Sequence, residues 1–494
     1  MTLFASALSA QTRPYDKVTD RNLWLLGTNY AGLREDTSAS ISYAELYGGA
    51  EAGGYRRSYE ASSLWHAGAE ARTIKHLERF SMIGGFSFDQ NTGQDMCGSM
   101  FIHPGYYPVD ALEFTPGQKT LQTYAFDGGV SIDLTESLRA GAGMDFESAN
   151  YSKRKDLRHT NYRLDMTVTP GLTWTAPDRD LTVGANYIFR KNSESCVPEQ
   201  IGTGESTYYA FLDKGLMYGK YEAWSGSGVH LHESGVQGLP LKEIYHGFGL
   251  QTYSNDNFYC DMEVLFGNGT AGEKQTVWYR FPTTETNVHI GEIIDKGDRK
   301  FYFREFYHYV YQTNNETVLD RVTVNGVTTT QEYGSNLILD RNIHEVRVEL
   351  EFVKPEFEYL AALSASTTDT KSSQMYPFVT ESTLNVLSYS FAPTWHRGAF
   401  DFGLTADISI GFLKESDRSV SDDSGVLTRP YRLQEYYDLW AAYETSPRVG
   451  AAPFVRLNLK DGLYLQADAV FRKGFSGIIP GSRYGGSICF GWSF

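Results

Sequence analysis

The chain has 494 residues, a formal net charge of -16 and a hydrophobic fraction of 41%. No run approaches the roughly 18 to 20 apolar residues of a membrane helix, and the acidic balance argues against nucleic acid as a partner. An aromatic fraction of 14%, with 34 Tyr, 29 Phe and 48 Gly, points instead to a membrane-spanning barrel, whose alternating strands escape hydropathy plots. Four cysteines are too few for a disulfide framework. Cys97 and Cys196 sit in loop-like stretches and are free to pair, whereas Cys260 and Cys489 sit inside strand patterns.

Residues 1–10 read as the end of a secretory signal lacking its basic region, with a cut between Ala10 and Gln11. Residues 11–40 read as a periplasmic strap or a segment tucked into a lumen. From Ile41 onward the chain reads as antiparallel strands: Ile41–Ala52, Ser62–Ile74, Arg79–Phe88, Leu121–Leu134, Leu138–Tyr151 and Asn161–Thr175 first. Asp180–Arg190, Tyr245–Ser254, Asn257–Phe266, Glu285–Ile294, Lys300–Tyr311 and Asn342–Val353 follow. Glu356–Thr367, Ser382–Trp395, Gly398–Leu413, Val449–Leu459, Gly462–Lys473 and Tyr484–Phe494 complete the set. The spacing predicts an all-β fold, a transmembrane antiparallel barrel over 41–494 of about 18 strands, or 14 to 16 if some segments belong to loops.

Alternation carries this reading. Phe402, Leu404, Ala406, Ile408, Ile410 and Phe412 share one face, and Asp401, Gly403, Thr405, Asp407, Ser409 and Gly411 the other. A one-residue slip of such a strand would carry its charges into lipid. The strands from Lys300 and Tyr245 alternate less well. Short polar turns, such as Thr135–Ser137 and Lys460–Asp461, alternate with long loops, as between periplasmic and extracellular ends. The last stretch, YGGSICFGWSF, puts Ile488, Phe490, Trp492 and Phe494 on one side. It looks like the closing strand of a bacterial outer-membrane barrel.

Chemistry falls to the loops and the lumen. Val318–Tyr333 holds two β-rich runs around Asn325–Gly326, a strong hairpin signal, and reads as a projecting finger that could dock a partner. His230, His232 and His246 offer a metal-capable set, with no CxxC or HExxH beside them. Arg154, Lys155 and Arg158 lie in a basic island, Lys153 to Arg163, suited to lipopolysaccharide phosphates or an acidic partner. Asp133, Asp145, Glu147, Asp401, Asp407 and Asp468 face a lumen beside Arg139, Arg347 and Arg472, as a pore lining or a closed network. There is no GxSxG elbow and no residue set that singles out catalysis, and no cofactor is expected.

The loop strings DMCGSMFIHPGYYPVDALEFTPGQKT (95–120), YSKRKDLRHTNYRLDMTVTPGL (151–172), STYYAFLDKGLMYGKYEAW (206–224), AGEKQTVWYRFP (271–282) and QTNNETVLDRVTVNGV with YGSN (312–336) resemble an uncharacterised Bacteroidota outer-membrane β-barrel family. The resemblance implies genes beside TonB-dependent receptors and surface lipoproteins, and brings no catalytic residue. The expected function is a non-enzymatic accessory barrel in the outer membrane. It would serve a TonB-dependent uptake system for metal, haem or another nutrient and dock through its long loops. A stand-alone porin is the alternative, and a rim-located hydrolase the third.

Overall fold

The computed structural model describes residues 14–35, 39–178, 180–199, 209–217, 221–225, 238–254, 257–273, 276–375, 378–416 and 432–494. Among them, 20 strands join one antiparallel sheet. Two of these, Tyr209–Asp213 and Tyr221–Ser225, form a short side hairpin paired to Asp110–Leu112.

The other 18 close the barrel. They run Ile41–Gly53, Ser63–His76, Phe80–Ser99, Asp110–Asp133, Leu138–Lys153, Arg158–Thr175, Leu181–Glu199, Leu239–Ser254, Phe258–Glu273, Thr276–Asp295, Lys300–Val324, Val327–Lys354, Phe357–Met375, Phe378–Arg397, Phe400–Glu415, Arg448–Asn458, Leu463–Gly474 and Ser482–Ser493. Closure is made by the first and last strands, in register from Tyr43 opposite Ser493 to Gly53 opposite Arg483. All 18 expected segments are present, so the larger count holds.

Lipid fixes the register. Phe402, Ile408 and Phe412 lie exposed on the outer face, as do Ile488, Phe490 and Trp492 on the closing strand. Arg456, by contrast, is turned inward over the Tyr464 ring. Sliding any one of these strands by one residue would exchange its own outer and inner side chains.

The strands run well past the bilayer on the long-loop side. Lys300–Val324 has 25 residues and Val327–Lys354 has 28, more than twice the roughly 9 to 11 needed to span lipid. The stretches expected as loops at 267–284, 312–341 and 368–381 are therefore mostly strand. Above the membrane the outer face is wet, while the inner face buries Trp278, Phe281 and Ile338 in an apolar core among polar neighbours such as Gln312 and Asn314, so the clean alternation imposed by lipid is not kept. The expected finger is the tip of the longest hairpin. Its flanking strands stop pairing near Tyr279 opposite Glu316 and Leu339 opposite Ser372, and above these points the ribbon is held to its neighbours by side chains, as in the Arg280–Glu332 ion pair. At its turn Asn325 (φ 53°) and Gly326 (φ 80°) both take positive φ, the conformation of a type I′ turn.

The Cys97–Cys196 pairing that the sequence left open is not made, and all four cysteines are thiols. Cys196 is buried with its sulfur 3.9 Å from that of Met100.

Candidate functional site: a lumen stoppered at both ends

Residues 14–35 lie inside the periplasmic end of the barrel. Helix α1 (Pro14–Asp20) is followed by two short 3₁₀ turns, Leu23–Leu26 and Tyr30–Glu35. Asn22 caps the first, its Oδ1 accepting the Trp24 N–H at 3.0 Å. Trp24 then packs edge-on against Tyr259, ring centroids 5.3 Å apart. Tyr15 and Leu33 bury with Tyr43 and Ile74 on the opposite wall.

The wall is shaped for this segment. A Cβ at Gly129 or Gly143 would overlap the Tyr30 ring, and one at Gly141 would meet the backbone of Ala31. Polar side chains complete the seat around the circumference. Arg21 donates to Glu351 at 2.8 and 2.6 Å, and Lys17 lies 2.8 Å from Glu358. Arg304 donates to the Asp20 carbonyl at 2.8 Å. Thr28 donates through its N–H and hydroxyl to Glu263 at 2.9 and 2.5 Å. Asn29 donates to Gln251 at 2.8 Å, Ser131 to the Ala31 carbonyl at 2.7 Å, and Arg34 to Asp133 at 2.6 Å. Such dispersed contacts, each made by at least one side chain, seat the segment with no strand pairing to the wall.

The extracellular end holds an apolar core. Met100, Phe101, Tyr107 and Val109, from the connection 100–109, pack on Cys196, Leu239, Leu241, Phe281 and Ile338 of the wall. Backbone groups of the connection are met by buried side chains. Asn161 donates to the Met100 carbonyl at 2.8 Å, Glu194 accepts from the Ile102 N–H at 3.1 Å, and Arg341 donates to the carbonyls of Gly105 and Tyr106 at 2.7 and 3.0 Å. Burial, with Arg163 nearby, pushes the His103 imidazole of this connection down to about 4.

Helix α2 (Leu433–Thr445) packs at the same end. Leu433 and Tyr436 pack on Leu112 and Phe211, and Tyr443 stacks on Tyr55 at 5.1 Å. Arg57 ties the helix down, 3.2 Å from Glu444 and 3.3 Å from Glu60. Burial alone would raise the Glu60 carboxyl, but the Arg57 guanidinium and N–H hold it below the usual carboxylate range. Leu433, Tyr436, Tyr437, Trp440 and Tyr443 show the helical i, i+3, i+4, i+7 spacing, a signal in the sequence that the strand reading passed over.

The residues singled out from sequence are scattered. His230 and His232 lie outside the described residues. His246 is on the outer face, hydrogen-bonded to the Tyr187 hydroxyl at 2.5 Å and two residues from the exposed Phe248. Among the described residues no three His, Cys, Asp or Glu side chains converge as a metal set.

The basic island is split by strand period. Lys153, His159 and Arg163 are buried, and Lys153 meets Glu113 at 2.5 Å. Arg154 and Lys155 are exposed, Arg158 is half-buried and pairs with Asp156 at 2.8 Å, and Lys155 donates to the Pro116 carbonyl at 2.9 Å. The lumen charges knit together in part: Asp133 with Arg34 and Arg139, Arg347 with Glu349, and Asp401 with His396 and Asn458.

A closed antiparallel barrel with an apolar outer face and an occupied polar lumen defines an integral outer-membrane protein of a Gram-negative bacterium. The chain belongs to the family of unknown function DUF6850, whose profile matches residues 30–494. No curated protein matches it. Among solved structures it is similar to the ferric preacinetobactin receptor BauA of Acinetobacter baumannii, at 7% identity and TM-score 0.43 over 92% of this chain and 79% of that one. It is also similar to the outer-membrane protein OpdK of Pseudomonas aeruginosa, at 7% identity and TM-score 0.36 over 92% and 99%. The copper transporter OprC is at 7% identity and TM-score 0.40 over 92% and 80%. Likeness at this level says nothing about what this barrel carries.

Proposed function

We propose that the protein is a non-enzymatic accessory barrel of an envelope complex that works through its extracellular surface. The observation that supports this most directly is the filling of the lumen from both ends. Residues 14–35 occupy one mouth; the connection 100–109 and α2 occupy the other. The finger, whose edges have no strand neighbour among the described residues above Glu316 and Leu339, is the proposed docking element, since strand edges accept a partner's strand. A TonB-dependent nutrient transporter and a surface lipoprotein are the partners implied by the family resemblance.

The test is purification from native outer membranes in mild detergent, with and without residues 318–333. A stoichiometric partner that is lost with the finger, while the barrel stays folded, supports the reading. A solitary barrel removes it.

A gated porin is the second reading. It is favoured by the seating of residues 14–35 through side chains, which lets the segment leave without breaking a strand. Conductance of the barrel lacking that segment tests it.

A further inference from the structure

Glu305 stands on the outer face of the strand Lys300–Val324. Its neighbour Arg304 is 2% exposed, turned into the lumen, and donates to Glu349 at 2.8 Å. Residue 305 therefore points outward. Register sets it beside Ile290 on one side and Val348 on the other, with Phe303 and Tyr307 below and above on the same face. The Tyr307 hydroxyl is engaged with His344 at 3.1 Å. Among the described residues the Glu305 carboxylate has no hydrogen-bond or ion-pair partner.

Five residues above Lys300, at a rise of about 3.3 Å and a tilt of about 40°, place it about 13 Å above the periplasmic turn, well within the height of an apolar band roughly 25 Å tall. Glu292, two residues from Ile290 and opposite Phe258 and Phe303, is its diagonal neighbour nearer the periplasmic edge. The strand Phe400–Glu415 carries no charge on its outer face between Phe402 and Phe412. An unpaired carboxylate facing hydrocarbon is costly, and ionisable groups at that depth are normally paired.

We propose that this face, built by strands Thr276–Asp295, Lys300–Val324 and Val327–Lys354, packs within the membrane against a partner protein that presents a basic side chain at the depth of Glu305. A second copy related by a two-fold axis at Glu305 fits poorly, because the carboxylate would meet its own equivalent. The proposal rests on the accessory reading and adds a lateral contact to the loop contact.

The test places a photoreactive side chain at Val348, beside Glu305, and separately at Ile408, three strands further round the outer face, in native outer membranes. Position 348 is expected to give one discrete adduct with a membrane protein, at least tenfold above position 408. Glu305→Leu should lower that yield at least tenfold, and Glu305→Lys should abolish it until the basic residue found at the adduct is changed to Glu. Heat-modifiable migration of each variant in phospholipid vesicles checks folding. Equal yields at both positions, an unchanged yield in Glu305→Leu, or an adduct between two copies of this chain would overturn the proposal. Partner loss on finger deletion with an intact yield in Glu305→Leu would remove the lateral contact alone. A solitary barrel in every preparation would remove the accessory reading itself.

Discussion

Arg21 and Glu351 join the N-terminal segment to the barrel wall: the guanidinium donates twice to one carboxylate oxygen, at 2.8 and 2.6 Å. Glu351 is also 3.0 Å from Arg304, so the pair belongs to a wider set of charges at the periplasmic mouth. Removing one member leaves a poorly solvated charge behind, typically at a cost of roughly 3 kcal/mol when the pair is buried. Arg21→Glu is expected to free residues 14–35 while the strands remain paired. Limited proteolysis from the periplasmic side should then cut the segment at least tenfold faster, and Glu351→Arg in the same chain should restore protection.

The glycine seat gives a second handle. At Gly141 an added Cβ would meet the main chain of Ala31, which cannot swing aside as a side-chain tip could. Gly141→Ala should therefore destabilise the seated segment by about 1 to 3 kcal/mol, the usual range for overpacking. Hydrogen exchange should rise over 28–33 and stay unchanged in the strand Phe400–Glu415. An unchanged profile over 28–33 would mean that the wall yields instead.

Acid should loosen the extracellular cap in two stages. The His103 imidazole sits down at about 4 because it is buried, so the folded cap binds fewer protons than the unfolded chain below the ordinary histidine range of about 6.5. Its contribution is complete above that value and falls away as pH drops toward 4. Glu60 is held below the ordinary carboxylate range by Arg57, so its contribution is present above that range and is lost as pH falls through its lowered value. Tryptophan fluorescence of Trp440 in α2, followed by acid titration, should show the helix loosening. Glu60→Gln should remove the later stage only.

Cys196 offers a simple check on the apolar core. It is fully buried against Met100, so alkylating reagents should leave it unmodified in the folded barrel and reach it only after heat unfolding. Migration without reductant should match migration with it, because no disulfide closes the 97–196 loop.

The finger turn depends on backbone freedom. Gly326 at φ 80° is in the left-handed region, which a β-branched residue resists. Gly326→Val should raise protease sensitivity of residues 318–333 without altering the heat-modifiable shift of the barrel.

Within the membrane, the amino-acid sequence was sufficient to locate every strand, because lipid on one side and water on the other force a period of two on residues such as Phe402 to Phe412. The strand from Lys300 read less cleanly for a reason visible only in three dimensions: Glu305 takes an outward position that alternation reserves for an apolar side chain. Outside the membrane that contrast vanishes. Thr, Asn and Glu stand beside buried Trp278, Phe281 and Ile338 in the extended hairpins, so their pairing was left to cross-strand hydrogen bonds that no local pattern announces. The place of residues 14–35 was decided by distant partners, with Tyr30 on Gly129 and Gly143, Arg21 on Glu351, and Asn29 on Gln251, contacts that exist only once the sheet has closed. The same closure divided the basic island between core and solvent, carried His246 to the outer face, and filled the lumen whose charges the sequence could list but not pair.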